Sequence, residues 1–345
     1  MFSKKASIIV PCYKVEQYLP RCLDSLVGQS LQDIEIICIN DGSPDQCINI
    51  INDYKNRYPE MITVIDKQNE GVWRGRFDAI AIAQGEYIGF VDSDDYVESD
   101  FAEKLYSAAV ADNADISVCG FNRIDVDTGK ILNTEMTESR PPFNVEREPQ
   151  RLLELNGAPW NKFFRASVLR NLHDFKEPPK IFDDIMLHLL AYPSIKKVTF
   201  TPHALVNYII RNDSIMTTID KSKIESTYTA MLEVKSVYER IASKSLIDFL
   251  DAAAFLHLGI SLMFRISYDP TVNLTTELKK NKAYLSASFP TWNNPTIISA
   301  HTAKKYGSVF KKAYTARKIY NSPFMPLALM AYRTMIHRFG FDIKW

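Results

Sequence analysis

GEYIGFVDSDD, residues 85–95, decides the fold class of this chain. Its apolar run Ile88–Val91 ends directly on three aspartates and a serine, in the order Asp92-Ser93-Asp94-Asp95. Short apolar runs of this kind are typical of buried strands in parallel sheets, whose ligands bind beyond the carboxyl ends of the strands. The stretch therefore predicts a strand whose end carries a functional site.

Further apolar runs of the same character occur in the first 121 residues, namely Ala6–Val10, Ile34–Ile39, Ile62–Ile65 and Ile116–Cys119. Between the runs, apolar residues recur at helical spacing, as they do at Leu19, Leu23 and Leu26. Alternation of strands and helices predicts an α/β fold, with a mostly parallel sheet flanked by helices on both faces.

The rest of the chain has a different pattern. Residues 122–158 are polar and predict a connecting segment with an edge strand, and Ile185–Ala191 predicts a helix. A strand is expected at Val198–Thr201 or at Leu205–Ile210, and helices follow from Lys221 onward. We therefore expect a sheet domain over residues 1–220, with halves at 1–121 and 122–220, and a helical region over residues 221–345.

Composition excludes several classes of protein. The 345 residues are 46% apolar and 24% charged with a formal net charge of zero, which argues against disorder and gives no reason to expect a nucleic-acid partner. Residues 301–345 differ, because they hold nine Lys or Arg residues against one Asp. This basic, aromatic-rich end predicts amphipathic helices on an anionic membrane, with a polyanionic glycan, another subunit or a solvated helix end as alternatives.

The cysteines and the apolar stretches bear on the compartment. Five cysteines, all before residue 120, lack the spacing of metal or redox sites and predict buried free thiols in a reducing cytoplasm. The most apolar helical stretch, 246–264, contains Asp248 and Asp251, so we expect it not to span a bilayer. A cytoplasmic protein is predicted, soluble or peripheral on the inner face of the cell membrane.

The aspartates of residues 92–95 suit a cation. In an extended segment Asp92 and Asp94 would point to the same side and Asp95 to the other. Neighbouring carboxylates repel one another unless a cation neutralises them, and Mn²⁺ or Mg²⁺ typically uses one or two carboxylates plus substrate phosphates. The alternative is that Asp95 caps the helix expected to begin near Ser99.

A second polar strand end reads Asn40-Asp41-Gly42-Ser43. It has neither the three glycines of a dinucleotide fold nor the lysine of a phosphate-binding loop. A carboxylate at this place is suited to accept hydrogen bonds from a base or a sugar, so Asp41 is a candidate nucleotide ligand. The alternative is a turn residue before Gly42.

Together these motifs resemble family 2 glycosyltransferases, in particular the bacterial capsular, exopolysaccharide and teichoic-acid branch. The resemblance rests on SIIVPCY (residues 7–13), NDGS (40–43), NEG (69–71) and GEYIGFVDSDD (85–95), and continues through Trp160-Asn161-Lys162, Asp183-Asp184 and Tyr208…Arg211…Ser214-Ile215-Met216. It implies a GT-A fold with a Rossmann-like sheet and an inverting, metal-dependent hexosyl or N-acetylhexosaminyl transfer. The donor would be a nucleotide-diphosphate sugar, most simply a UDP-sugar, used for a cell-surface glycan, a lipid-linked oligosaccharide or a teichoic-acid-like acceptor.

The resemblance also implies roles for individual residues. The donor ligands would be Pro11 and Tyr13 beside the nucleobase, Asp41 on the base, Arg76 near the nucleotide, Asp92 near the ribose or the ion, and Arg211 on the diphosphate. Ser93 would be a further donor ligand. Asp94, with Asp92, would bind Mn²⁺ or Mg²⁺. In this reading, residues 1–121 form the nucleotide-binding half and 122–220 the acceptor half.

Asp184 corresponds to the catalytic base of the family, and Asp183 stands where that family usually has Glu. From the residues alone, both aspartates also fit the start of the helix at 185–191 as caps. Trp160 is a candidate platform for an acceptor sugar, or else a core tryptophan.

Three departures from the family pattern lie near the expected donor pocket. Lys14 replaces an Asn, Trp73-Arg74-Gly75 replaces small residues, and Phe77 replaces an Asn. They leave the donor sugar open. A catalytically silent binding module of a polysaccharide assembly complex and a nucleotidyltransferase remain alternative functions, and a homo-oligomer is possible.

Overall fold

The computed structural model describes residues 2–211, 221–293 and 296–339. The chain divides into two compact units. The sheet unit comprises residues 1–145, 157–174 and 194–213, and the helical unit comprises residues 146–156, 175–193 and 214–345. The sequence predicts a single boundary near residue 220. Two earlier segments instead belong to the helical unit. The helix Asp183–Ala191 packs against the helix Lys221–Ile241, and the short 3-10 helix Pro149–Glu154 packs against the helix Lys244–Ala254.

In the sheet unit, the strands are β1 (Lys4–Cys12), β2 (Ile34–Asp41), β3 (Ile62–Lys67), β4 (Gly85–Phe90), β5 (Tyr96–Val97), β6 (Ile116–Asp125), β7 (Ile131–Glu135), β8 (Phe143–Asn144), β9 (Lys162–Arg165) and β10 (Lys197–Ile210). Its helices are α1 (Leu19–Val27), α2 (Cys47–Arg57), α3 (Val72–Ile82), α4 (Phe101–Asp112) and α5 (Ala166–Leu169). The five apolar runs of the first 121 residues are all strands, as predicted.

The strands form one sheet in the order β3-β2-β1-β4-β9-β6-β10-β5, with β7 on β6 and β8 on β10. β1 pairs in parallel with β2 and β4, and β2 pairs in parallel with β3. The register sets Cys12 beside Asn40 and Asp41 beside Lys67. The carboxyl ends of these strands therefore meet at one edge of the sheet, and the predicted α/β class with a mostly parallel core is confirmed.

Burial explains the apolar runs. Every residue of β2 is buried, as expected for a strand covered on both faces. All five cysteines are free and buried, as predicted. Burial raises the pKa of Cys38 and of Cys119 to about 12, which keeps both thiols protonated and unreactive at neutral pH.

One element is longer than either alternative that the sequence suggested. Val198–Thr201 and Leu205–Ile210 both belong to β10, a single strand of 14 residues. Its pairing with β6 shifts register between Thr201 and Val206. This irregularity lies between the two apolar runs and explains why the sequence shows them as separate.

In the helical unit, the helices are α6 (Asp183–Ala191), α7 (Lys221–Ile241), α8 (Lys244–Ala254), α9 (Met263–Ile266), α10 (Leu274–Ser288), α11 (Ala300–Tyr306), α12 (Ser308–Asn321) and α13 (Met325–Phe339). A π-helical segment, Phe255–Leu262, joins α8 to α9. The resulting helix, Lys244–Ile266, is the one described helix that is long and apolar enough to cross a membrane, and 72% of its most apolar window is buried inside the protein. That burial is typical of a core helix.

Candidate active site

The loop after β1 is tied to the loop after β2. The backbone N–H of Lys14 donates to Ser43 Oγ at 2.7 Å, and the N–H of Glu16 donates to Asp45 Oδ2 at 3.1 Å. Ser43 Oγ in turn donates to Asp45 Oδ1 at 2.6 Å. These bonds hold Tyr13 with 42% of its surface exposed, next to the half-buried Pro11, and the Lys14 ammonium lies over its ring, 5.2 Å from the centroid. The geometry suits a stacked base, and the donor roles of Pro11 and Tyr13 stay predictions.

Asp41 anchors the loop after β3. Its Oδ1 accepts the N–H of Glu70 and its Oδ2 accepts the N–H of Gly71, both at 2.9 Å, and the residue is 5% exposed. The neighbouring Gly42 has φ +62°, and a Cβ there would lie 2.6 Å from the backbone N of Asn69. Asp41 therefore does stabilise a turn, as the alternative interpretation of this motif predicted. Each carboxylate oxygen can accept a second bond, so contact with a base stays a prediction.

The Asp92–Asp95 segment is a turn, closed by a 3.0 Å bond from the N–H of Asp95 to the carbonyl of Asp92. The expectation of an extended segment with alternating side chains was wrong, because the strand ends at Phe90. Capping by Asp95 was also wrong. Asp95 is fully buried and accepts the N–H of Ile209 in β10 at 2.8 Å, whereas α4 begins at Phe101 with no side-chain cap.

Burial of Asp95, together with the charges of Asp94 and Asp92, raises its pKa well above the usual range of a carboxyl. Its Oδ2 is buried and has no hydrogen-bond partner among the described residues. The raised pKa favours the neutral, protonated form of Asp95, so this residue serves the turn as a buried hydrogen-bonding group.

Arginines stand beside the other two carboxylates. Arg211 Nη2 lies 2.8 Å from Asp94 Oδ2, and Arg76 Nη2 lies 4.0 Å from Asp92 Oδ1. The side chain of Asp92 is 33% exposed and that of Asp94 is 23% exposed, whereas Arg76 is buried in α3. Two partly open carboxylates, one of them holding a guanidinium, form a donor set that fits a divalent cation.

The carboxylates could supply only part of a coordination shell. Across residues 2–211, 221–293 and 296–339, no group of three or more His, Cys, Asp or Glu side chains is arranged to hold a metal ion. A cation bound here would have to take its remaining ligands from phosphates and water, and the metal site stays a prediction.

Ser93 faces back into the sheet unit. It is 5% exposed and hydrogen-bonds the thiol of Cys12, whose pKa is raised mainly by burial. Cys22 Sγ lies 3.8 Å from the carbonyl oxygen of Asp92. These contacts fix the turn against β1 and α1, and a direct contact of Ser93 with the donor stays a prediction.

Beside Arg76, helix α3 carries a cluster that the sequence did not reveal. Trp73 Nε1 donates to Asp174 Oδ1 at 2.9 Å, and Arg74 pairs with the other oxygen of Asp174. The Trp73 ring is 2% exposed and packs on Phe77 with centroids 5.0 Å apart. No local spacing links residues 101 positions apart. Two of the three departures from the family pattern, Trp73-Arg74-Gly75 and Phe77, thus pack against each other through the Trp73 and Phe77 rings.

Trp160 lies in the core of the sheet unit. It is 6% exposed, stacks on Tyr208 at 5.4 Å and meets the edge of Phe121 at 4.8 Å. The neighbouring Lys162 is fully buried and donates to the carbonyl of Ala158 at 2.6 Å. The geometry agrees with the core alternative for Trp160, and its role as an acceptor platform stays a prediction.

Asp183 and Asp184 open α6 in the helical unit. The residue before them, Phe182, has φ +63°, and the helix has no side-chain cap. Capping by these aspartates was therefore wrong, although negative charge in a first helical turn is favourable. The carbonyl oxygen of Asp184 lies 2.6 Å from His188 Nδ1. The role of Asp184 as base, and the choice between it and Asp183, stay predictions. Ser214-Ile215-Met216 lie outside the described residues.

Known proteins are similar to this chain in sequence. Residues 7–172 match Glycosyl transferase family 2. The glycosyltransferase EpsH of Bacillus subtilis is 29% identical over 275 residues, covering 76% of this chain and 78% of EpsH. The poly(ribitol-phosphate) beta-glucosyltransferase of Bacillus spizizenii is 30% identical over 282 residues, covering 81% of this chain but only 43% of that enzyme.

Solved structures show the same fold. S. aureus TarS in complex with UDP-GlcNAc superposes with a TM-score of 0.68 at 20% identity, covering 92% of this chain and 91% of that one. TarS in complex with UDP gives 0.66 at 19% identity with the same coverage. The GT-A architecture expected from the strand-end motifs is thereby confirmed.

Proposed function

Since the chain belongs to glycosyl transferase family 2, we propose that it transfers a hexosyl or N-acetylhexosaminyl group from a UDP-sugar. The acceptor is a hydroxyl of a cell-surface glycan, a lipid-linked oligosaccharide or a teichoic-acid-like polymer. The observation that carries the proposal is the strand end at which Asp92 and Asp94 stand beside Arg76 and Arg211. The named complexes of TarS with UDP and UDP-GlcNAc, and the named activity of the ribitol-phosphate glucosyltransferase, support the donor and acceptor classes.

The aspartates would hold the donor through a cation. Asp94, with Asp92, would bind Mn²⁺ or Mg²⁺ together with the diphosphate. When bound, such an ion neutralises charge that builds up on the departing phosphate. Arg211 would then leave Asp94 and donate to the same phosphates, where a positioned donor stabilises the transition state.

The nucleoside would lie on the loops after β1 and β2. Tyr13 and Pro11 offer an exposed apolar surface for the base, and Asp41 holds the adjacent loop while it retains capacity to accept a further donor. Arg76 and Ser93 would complete the donor pocket. The Trp73–Asp174 contact stiffens α3 next to Arg76, and so would contribute to the choice of sugar.

The acceptor needs a base. Asp184 would take the proton of the attacking hydroxyl, a contribution typically worth about 10²- to 10⁴-fold in rate. Attack in one step from the face opposite the leaving diphosphate inverts the anomeric carbon. No covalent sugar intermediate is then formed on the enzyme.

A release assay tests this proposal. Purified protein is incubated with UDP-glucose, UDP-galactose, UDP-GlcNAc or UDP-GalNAc and Mn²⁺, with and without EDTA. Water takes the place of the acceptor hydroxyl, and the UDP released by this slow hydrolysis is measured. We expect one donor to release UDP, EDTA to stop the release, and Asp184→Asn to lower it about 10²-fold or more without weakening donor binding. Asp183→Asn is the matched control and should retain most of the activity.

Other outcomes contradict the proposal. Donor binding without release in any combination would indicate a silent binding module. Release of a sugar 1-phosphate rather than UDP, which is the product left when the uridylyl group is transferred, would indicate a nucleotidyltransferase. A loss of activity in Asp183→Asn but not in Asp184→Asn would move the base by one residue.

We also propose that the enzyme works on the cytoplasmic face of the membrane, attached peripherally.

A further inference from the structure

The corner between α12 and α13 exposes a group of large apolar side chains. Phe324 is 65% exposed, Leu327 61%, Met330 46% and Ile319 42%. Single exposed apolar residues are ordinary on protein surfaces, but a contiguous apolar surface marks an interaction site. The two most exposed of these side chains lie at the junction of the helices, Phe324 in the turn itself and Leu327 in the first turn of α13.

Two adjoining cavities at this corner differ in polarity. An apolar concavity of about 600 Å³ is lined by Ile319, Phe324, Leu327 and Ala328 among others. A polar one of about 450 Å³ is lined by Tyr314, Arg317 and Asn321 among others. Lys318 and Ser322 line both. A basic polar cavity thus opens directly beside an apolar one.

The charge of the surroundings has one sign. Residues 296–335 contain seven Lys or Arg residues and no Asp or Glu. Five of the seven are exposed lysines, namely Lys304, Lys305, Lys311, Lys312 and Lys318. Arg317 and Arg333 instead donate to backbone carbonyls, those of Ile298 and Ser267 among others, and so brace the helices from inside.

The opposite faces of the same helices are packed. Phe310 and Tyr320 of α12 and Leu329 of α13 are fully buried. Tyr320 packs edge-on against Phe255 at 5.2 Å. The exposed face is therefore presented by helices that are held firmly within the helical unit.

From this arrangement we infer that the α12–α13 corner docks on an anionic lipid bilayer. Phe324, Leu327 and Ile319 enter the boundary between headgroups and acyl chains, and the lysines contact the anionic headgroups. A second copy of the chain fits less well, because pairing would bring two positive surfaces together. A soluble polyanion would use the lysines and leave the apolar side chains without a partner. The inference deepens the proposed function by naming its membrane surface.

Vesicle binding tests the inference without any donor, so its failure is distinguishable from a failure of the proposed activity. The intact protein is sedimented with phosphatidylcholine vesicles that contain or lack phosphatidylglycerol. We expect binding to the anionic vesicles that weakens as salt rises, and little binding to the neutral ones. The double variant Phe324→Ser/Leu327→Ser should bind at least tenfold more weakly, and so should Lys311→Glu/Lys312→Glu.

Matched controls lie elsewhere in the helical unit. Ile241→Ser removes an apolar residue that is 59% exposed on α7, and Lys279→Glu reverses an exposed charge on α10. Both should bind as the unaltered protein does. The replaced side chains are exposed, so all variants should keep the unaltered thermal unfolding midpoint. Deleting residues 301–345 is a poorer test, because it would also remove the buried Phe310 and Tyr320.

Tryptophan fluorescence reports directly whether the corner inserts into the bilayer. In Phe324→Trp, the added fluorescence should shift to the blue and be quenched by brominated acyl chains, whereas Ile241→Trp should show neither effect. Unchanged binding of Phe324→Ser/Leu327→Ser overturns the inference. So does binding to soluble polyphosphate as tight as to vesicles, or a dimer that this double variant dissociates without loss of vesicle binding.

Discussion

The two acidic strand ends of the sheet unit are built in different ways. After β2, the carboxylate of Asp41 is held by two backbone N–H groups, those of Glu70 and Gly71. After β4, the carboxylates of Asp92 and Asp94 stand beside arginine side chains. Both motifs place aspartates at one edge of the parallel part of the sheet, but Asp41 accepts backbone N–H groups whereas Asp92 and Asp94 stand beside arginine side chains.

The difference indicates which aspartates can bind a cation that arrives with the substrate. Backbone donors are part of the fold and cannot leave, so Asp41 keeps one geometry and stabilises its loop. An arginine side chain can rotate away, so Arg211 can exchange its place on Asp94 for another cation and turn to a phosphate. A carboxylate with an exchangeable partner is the better ligand for a substrate-borne ion.

Removing the exchangeable partner should have the largest effect. Arg211→Ala should lower turnover by about 10²- to 10³-fold, the usual cost of losing one positioned donor, while the free energy of unfolding changes little. Steady-state kinetics and urea unfolding measure the two quantities. Arg57→Ala, which breaks an exposed pair with Asp53 and contacts with the Tyr54 and Tyr58 rings, is the control for turnover and should leave it unchanged. Full activity in Arg211→Ala would remove Arg211 from the reaction.

Removing the locked carboxylate should act first on folding. Asp41→Ala leaves two partly buried N–H groups without their acceptor, which should lower the free energy of unfolding by about 2–3 kcal/mol. Asp53→Ala, at an exposed site on α2, is the control. If Asp41→Ala unfolds like the unaltered protein but loses UDP binding, Asp41 serves the base alone and the comparison between the strand ends fails.

The smallest effect is expected at the tie between the loops. Ser43→Ala removes the acceptor of the Lys14 N–H and the donor to Asp45, a loss of about 1 kcal/mol in the free energy of unfolding. Looser loops should also raise the KM for the donor slightly without changing kcat. A change in kcat alone would show that Ser43 acts on the chemical step and not on the Tyr13 loop.

Strand ends were the part of the site that the sequence could predict. β2 and β4 are short, apolar and buried, and their final residues must therefore meet the neighbouring strand ends at one edge. That geometry follows from pleat and parallel pairing alone. Tyr13, Asp41 and Asp92 are placed by it.

Contacts between residues far apart in sequence could not be predicted. Asp95 bonds Ile209, and Asp174 bonds Trp73, across more than 100 residues in each case. Asp92–Asp95 was expected to be extended because its neighbours are a strand, but the bond between Asp95 and Asp92 makes it a turn. The apolar corner at Phe324 was likewise hidden, because a helical pattern shows which residues share a face and not which face stays uncovered.

The most direct test of the account is UDP binding to Asp94→Asn, measured by calorimetry with and without Mn²⁺. For the unaltered protein we predict that Mn²⁺ strengthens UDP binding at least tenfold. For Asp94→Asn we predict an unchanged fold, weak UDP binding and no response to Mn²⁺. Equal strengthening of UDP binding by Mn²⁺ in both proteins would contradict the claim that the end of β4 holds the donor through a cation.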